Sequence, residues 1–551
     1  MRAMDITFLG GATTVTGSTF LITTDRAKVL VDCGMFQGSP NESIRNRVPF
    51  GFDPAELDAV LLTHAHLDHC GRLPLLVRGG YDGTIHATAG TCELAALVLL
   101  DSGHLHEEFA KREARWEKRH PDLVEADDRK EADQYQAAVD LAAAGGSEEA
   151  AVETAGGAGS APSATGEHVP TTIEPEPPHA WSGGDPEVEL RRQPPELEVD
   201  LDEPLYTVKD AERAIEHFRP IDYDAEREVA PGVWATFLDA GHILGSAIIR
   251  LRIQDGGEER VIVCSGDLGR PGTPIIRDPT YLTDADYVLV ESTYGGREHE
   301  PQEEAIRILA ETVRMVAEAG GVLLVPSFAI GRTQEVVWEL DRLIERGEIP
   351  SLPLYLDSPM ATKATGIYQR YSEYFDEETA TLLREGETPL DYPAQVVVNT
   401  PKESAAIQYA ARPYMIVASN GMLTGGRVVG HLRNLIDDPN ATLLFVGYQG
   451  EGTLGAHLQA GAKTVKLDGQ PRQVRCKVRS IAGFSAHADE HELLDWIGQF
   501  AQGKQPGDRG FPRIVFLVHG DPEAQEAIEP KVQALGFRTQ VPRWHQRVTL
   551  E

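Results

Sequence analysis

The sequence predicts an α/β protein of two or more domains, and three features carry that expectation. Between Met4 and Thr88, short apolar stretches alternate with turns (DITFLG, STFLIT, KVLVDCG, DAVLLTH, TIHAT), the pattern of buried strands. From about Glu298 helices and strands alternate, which argues for a parallel sheet with helices on its faces. Between the two regions lies an acidic stretch of low complexity. A length of 551 residues with 41% hydrophobic composition leaves ample material for two or three cores.

The elements follow in order. Thr91 to Arg119 has helical spacing with a charged far half, and helical character fades into the acidic stretch. From Asp122 to Glu203 there are 21 acidic and 4 basic residues, with runs such as AAAGGSEEAAVETAGGAGSAPSATGEH. Its central part is too polar and too simple to order itself by burial, so a flexible insertion is expected at about 120–203. Order resumes near Pro204, where LYTVKDAERAIEHF reads as a helix capped by Thr207. Strands return at VWATFLDAGHILGSAIIRLRI, ERVIVCSGDLG and DYVLVESTYGG. Then come a helix in EEAIRILAETVRMVAEAG, a strand in GVLLVPS, a helix in RTQEVVWELDRLIERG and strands in PLYLDS, YMIVASNGM and TLLFVGYQG. RIVFLVHGD followed by EAQEAIEPKVQALG is a last strand and helix.

The net charge of −35 has the wrong sign for a nucleic-acid protein, yet about half of it falls in the acidic stretch. The remainder is still acidic, and the chain as a whole is lysine-poor, with 12 lysines against 39 arginines. Such a surface resembles proteins of salt-rich cytoplasms; the alternative is an acidic protein of a high-GC genome. The five cysteines are scattered, without a C-x-x-C pair, which argues against a disulfide framework or a thiolate zinc site. Neither a charged-then-apolar leader nor an 18-residue apolar run is visible, so a cytoplasmic protein with no membrane span is expected.

The chemistry concentrates in THAHLDHCG, where His64, His66, Asp68 and His69 fall within six residues directly after a strand. Imidazoles at i and i+2 can close on one cation while the next two positions face a neighbouring one, and zinc takes both histidine nitrogen and aspartate oxygen. Three further strand ends carry isolated candidates: His242 in AGHILGS, Asp267 in SGDLG and His519 in VHGD. Each follows an apolar run and has glycine beside it, which suits a side chain presented at the carboxyl edge of a sheet.

HAHLDH, the VDCG containing Asp32, and the later His242 and Asp267 resemble the successive motifs of the metallo-β-lactamase fold, an αββα sandwich. ESTYG with Glu291, SAHAD with His487 and VHG with His519 resemble the three extra motifs of the β-CASP branch, nucleases related to the endonuclease of messenger-RNA 3′-end cleavage and to ribonuclease J. The likeness extends through SFAIGRTQE, ASNGML and GYQGEGTLG to nearly the whole chain except the acidic insertion. No KH-like stretch is read before Met4, so the likeness is expected to be to the shorter prokaryotic members.

The resemblance implies a metallo-β-lactamase domain at 1–295, an inserted β-CASP α/β cap at 296–478 and the domain's C-terminal part at 479–551. It implies two zinc ions per subunit, one on His64, His66 and His242 and the other on Asp68, His69 and His519, with Asp267 bridging and Asp32 orienting ligands from behind. Hydroxide held between the ions would attack an RNA phosphodiester, leaving 5′-phosphate and 3′-hydroxyl, with Asp68 in the catalytic set. His487, near a carboxylate at Asp489, is the candidate general acid, or else a residue that only positions phosphate. Glu291 would orient one of the site's histidines. Histidine at position 519 is a mark of the family's RNA-directed members.

Ser419, Asn420 and Gly421 in a polar turn, and Arg332 at a helix start, are candidate substrate phosphate contacts. Endonuclease action is expected, with 5′-to-3′ exonuclease action as the alternative. A small-molecule hydrolase would share HxHxDH but has no use for the cap, and a non-catalytic scaffold subunit would have lost ligands that are all present here. QVPRWHQRVTLE at the C-terminus reads as an edge strand, and homodimerisation is an expectation from the resemblance.

Overall fold

A computed structural model describes residues 4–145, 200–447, 449, 450 and 452–551. The central part of the predicted flexible insertion lies outside these residues. Two seven-stranded mixed sheets face each other. The first runs, edge to edge, 546–549, 5–10, 19–23, 28–31, 59–61, 84–87 and 218–220; the second runs 539–540, 514–518, 287–291, 258–264, 247–255, 233–239 and 227–230.

Period-two patterning explains the sandwich. Along 247–255, Ile249, Leu251 and Ile253 face the core between the sheets with Phe8, Ile22 and Phe237, while Ile248 faces outward under a helix layer. Burying one such side chain contributes about 1.5–3 kcal/mol. Helix Ala89–Glu117, capped by Thr88, and helix Val208–Glu216, with a capping box of Thr207 and Asp210, cover the outer face of the first sheet. Helices Glu490–Gly498 and Pro522–Ala534 cover the second through Trp496, Leu493, Ile528 and Val532. The result is the αββα sandwich that the motifs imply.

The alternating region forms a separate sheet of six strands, in the order 395–397, 354–357, 414–418, 322–326, 441–445 and 477–480, with every pairing parallel. One apolar cluster lies on each of its faces. The cap also shares a core with the sandwich: Ile330, Trp338 and Tyr368 pack with Leu94, Ile243 and Leu244. The Tyr368 hydroxyl accepts a bond from Leu244 N–H, and Glu93 receives both Arg370 and Tyr371.

The near end of the acidic stretch differs from the expected fading of helical character. Residues Val124–Gly145 form a helix whose Tyr135 and Ala138 bury against Phe36, Val48 and Trp544. Two apolar residues a turn apart suffice to dock it, a signal too small to stand out among its charges. The C-terminal edge strand expected from QVPRWHQRVTLE is present at Gln546–Thr549, paired antiparallel with Asp5–Gly10 of the same chain. Among the described residues no helix is long and apolar enough to cross a membrane.

Candidate metal centre

The centre is built where strands of both sheets end. Strand Ala59–Leu61 of the first sheet delivers His64, His66, Asp68 and His69; the second sheet delivers His242 after 233–239, Asp267 after 258–264 and His519 after 514–518. Two close backbone approaches hold these loops. A Cβ on Gly34 would stand 1.7 Å from the Asp68 carbonyl oxygen, so only glycine lets Cys33 N–H and Met35 N–H reach the carbonyls of His69 and Leu67 (2.8 and 3.0 Å). A Cβ on Gly269 would likewise stand 1.7 Å from the Gly241 carbonyl, beside His242 and Asp267.

The seven residues form two sets around one shared carboxylate. His66 Nδ1 lies 3.1 Å from both His64 Nε2 and His242 Nε2, and Asp267 Oδ2 lies 3.5 and 3.6 Å from those two Nε2 atoms. On the other side His69 Nε2 lies 3.3 Å from His519 Nε2 and 3.2 Å from Asp267 Oδ1, and His519 Nε2 lies 3.5 Å from Asp68 Oδ2. Ligand atoms held at 2.0–2.1 Å by a tetrahedral zinc ion stand about 3.4 Å apart, so both sets have the spacing of a metal site.

The protonation pattern fits as well. His69 Nδ1–H donates to Asp32 at 2.8 Å, His242 Nδ1–H to the Ala486 carbonyl at 3.1 Å, His64 Nδ1–H to Thr63 Oγ1 at 3.1 Å and His519 Nδ1–H to Thr293 Oγ1 at 3.1 Å. Each of these rings therefore turns its Nε2 inward, and on the neutral rings of His64 and His242 that nitrogen is bare. Asp267 Oδ1 is buried without a hydrogen-bond partner among the described residues, a demand a cation would meet. The residues present fit two metal ions.

Electrostatics follow the same division. Burial pushes His64 and His242 well below the ordinary imidazole range and His66 to about 4, which keeps them neutral as ligands must be. Burial also disfavours charge on His69, but Asp267 and Asp32 outweigh it and hold its pKa well above the usual value, so an ion bound there would displace the proton on Nε2. Burial would raise Asp267, yet His519, His69 and His64 hold it well below the carboxylate range. Asp32 takes a left-handed conformation (φ 58°) and accepts bonds from Thr63 N–H and Thr63 Oγ1–H at 2.8 Å each, so one carboxylate ties the end of strand 28–31 to the histidine loop.

His487 lies beside the cluster, its ring centroid 4.6 Å from that of His242. Its side chain and that of Asp68 are each 20% exposed, whereas those of His64, His69, His242 and His519 are at most 4% exposed, so His487 and Asp68, with the half-buried His66, form the open mouth. Glu291, fully buried, is the histidine-orienting carboxylate: its oxygens lie 3.1 and 3.2 Å from His487 Nδ1, and one accepts Leu268 N–H at 2.7 Å. Burial alone would lower the His487 pKa; Glu291, with Asp267 and Asp68, holds it at about 9. Asp489 has a different task from the one its sequence proximity suggests. It caps helix Glu490–Gly498, accepting Glu492 N–H at 2.9 Å.

The substrate candidates have partners of their own, and Glu335, which pairs with Arg332, lines a cleft together with His242. Ser419 Oγ–H donates to Ser358 Oγ at 3.0 Å, Asn420 Oδ1 accepts Met422 N–H at 2.7 Å, and the Gly421 carbonyl accepts from Gln449 at 3.0 Å. Arg332 begins its helix as expected but is buried and paired with Glu335. Thr63, within THAHLDHCG, and Thr293, within ESTYG, orient ligands without having been singled out, and His299, whose Nε2–H donates to the His487 carbonyl at 3.2 Å, carries no sequence signal beyond lying near a motif.

Comparison with known proteins agrees with this geometry. The chain matches the Metallo-beta-lactamase superfamily over residues 12–134, the Beta-Casp domain over 333–458 and the Zn-dependent metallo-hydrolase RNA specificity domain over 472–542. It is 34% identical over 545 residues to Ribonuclease TTHA0252 of Thermus thermophilus, covering 99% of this chain and 100% of the relative. It is 29% identical to Transcription termination factor FttA of Methanosarcina mazei, over 94% of this chain and 67% of that one, and 30% identical to FttA of Pyrococcus horikoshii, over 95% and 67%. Similar from end to end to one member, and matching the models of both its sandwich and its cap, the chain belongs to the β-CASP ribonuclease family of the metallo-β-lactamase superfamily.

Proposed function

We propose that this protein is a cytoplasmic, zinc-dependent ribonuclease that cuts RNA internally, with two zinc ions per subunit. The observation that carries the reading is the pair of ligand sets sharing Asp267. His64, His66 and His242 would hold one ion, Asp68, His69 and His519 the other. Bound there, zinc would supply the positive charge that draws phosphodiester oxygens in and makes water acidic near neutral pH. A relative named a ribonuclease, similar along its whole length, and a match to an RNA specificity domain support RNA as the substrate.

The chain's own residues then have distinct roles. Asp68, the more open of the two carboxylates, takes the proton of the attacking water as its oxygen forms a bond to phosphorus. The bond from phosphorus to O3′ breaks, and His487 gives a proton to the departing oxygen, leaving 5′-phosphate and 3′-hydroxyl. Glu291 engages Nδ1, which leaves the Nε2 proton uncommitted. Ser419, Asn420, Gly421 and Arg332 are proposed to contact flanking phosphates, which for Arg332 requires exchanging Glu335 for substrate.

The division at 1–295, 296–478 and 479–551 belongs to the same proposal, supported by a six-stranded sheet drawn wholly from 322–480. So do a homodimer paired through the outer edge of 546–549, and a salt-adapted surface supported by the net charge of −35. The test is an RNA labelled separately at each end, given to zinc-loaded protein beside its His487→Ala variant and a DNA of the same sequence. Internal cuts in RNA alone, lost in the variant, are expected; release of 5′ mononucleotides would turn the assignment to exonuclease action. Absence of cleavage by protein holding two zinc ions would overturn it.

A further inference from the structure

A cationic patch stands out on this acidic chain. Between Lys463 and Arg479, six of 17 residues are basic and only Asp468 is acidic. The segment forms a hairpin, Thr464–Leu467 against Gln470–Gln473, followed by the edge strand Lys477–Ser480 of the cap sheet. Val465 and Leu467 turn inward, and Val474 N–H bonds the Lys463 carbonyl to close the base, so the hairpin is a built element.

Five of its six cations are without a carboxylate partner among the described residues. Asp468 is taken by Arg433, and Arg479 faces Glu311 at 3.8 Å. Lys463, Lys466, Arg472, Arg475 and Lys477 are exposed, and among the described residues none pairs with a carboxylate. On a chain with 86 acidic residues against 51 basic ones, such a run of cations is a local reversal of the overall charge. A row of like charges repels itself until a polyanion lies along it.

Its position gives it a use. Strand Lys477–Ser480 runs on through Ile481, bonded to the Phe445 carbonyl, into the turn that presents His487. His487 lies eight positions after Arg479, so their Cα atoms lie within ~29 Å, a few nucleotides of extended chain. Resting on the ribonuclease reading, we infer that the hairpin Thr464–Gln473 and the strand Lys477–Ser480 form a docking track for the sugar–phosphate backbone of single-stranded RNA flanking the cleaved bond. The track binds by charge and so carries no sequence preference.

The test compares wild type with K466E/R472E/R475E and the neutral K466Q/R472Q/R475Q, none of which touches the metal centre. Binding is read by fluorescence anisotropy on a phosphorothioate RNA of about 30 nucleotides across a KCl series, and cleavage on an RNA of about 8. Three lost phosphate contacts lower the slope of log Kd against log salt by about 2. Affinity for the long RNA is expected to fall at least tenfold in the glutamate variant and less in the glutamine variant, with cleavage of the short RNA unchanged. Affinity and slope within twofold of wild type would overturn the track, as would a parallel loss of short-RNA cleavage. Wild type that binds with the patch-dependent slope yet cleaves nothing would contradict the ribonuclease reading and uphold the track; wild type that binds no RNA overturns both.

Discussion

Replacing Thr293 by valine removes one hydroxyl at nearly constant volume, and its consequence can be worked out bond by bond. Thr293 Oγ1 donates to the His519 carbonyl and accepts from His519 Nδ1–H, both at 3.1 Å, and the pair is buried. Without the hydroxyl the buried Nδ1–H loses its acceptor, a loss of about 1–3 kcal/mol that the ring can escape only by turning or changing tautomer. Either response takes Nε2 away from Asp68 and His69. Losing such an orienting partner weakens metal binding by about 10–100-fold. Zinc titration against a chromophoric chelator should therefore show two ions in wild type, with only the weaker step moving by that factor in Thr293→Val. Thr293→Ser keeps the oxygen and should restore it. The set His64, His66 and His242 does not touch Thr293, so an equal loss at both sites, or no loss at either, would refute the reasoning.

Gly34→Ala places a methyl group inside the Asp68 carbonyl, and the backbone shift it forces should destabilise the protein by about 3 kcal/mol or more, read as a lower urea midpoint together with lost zinc. Glu339, fully buried, has its pKa pushed up to about 8 by burial, from an ordinary 4.5. The folded chain keeps this proton to about pH 8 while the unfolded chain releases it near 4.5, so stability should fall across that window, by an amount on the order of 5 kcal/mol, and then level off. Unfolding midpoints of Glu339→Gln should lack this descent; an equal descent in the variant would contradict the assignment. Raising KCl from about 0.1 to 2 M should raise the melting temperature, because screening relieves the repulsion of a −35 chain; a falling temperature would speak against a salt-adapted surface.

Much of the centre was legible because its ligands announce themselves locally. His242, Asp267 and His519 each end an apolar run beside glycine, and His64 to His69 crowd a single loop. Of the partners that make those ligands work, Asp32 and Glu291 were read only through the resemblance, which did not say that Glu291 meets His487 across 196 positions, and Thr293, which meets His519 across 226, was not read at all. Asp489, two residues from His487, was the nearer carboxylate in sequence but is occupied as a helix cap. The strands of the sandwich and the alternation of the cap could be read from periodicity. Helix Val124–Gly145 could not, since its charged face outweighs the few side chains that dock it, and the hairpin at Thr464–Gln473 buries only alternate residues of one strand.

The most direct test of the account is zinc content, measured by mass spectrometry of the intact chain, across single substitutions. Two zinc ions are predicted for wild type, one for His242→Ala and one for His519→Ala. Asp267→Ala should lose both, because its two oxygens face the two sets. A single ion in wild type, or an Asp267→Ala chain that still holds two, would contradict a centre built around one shared carboxylate.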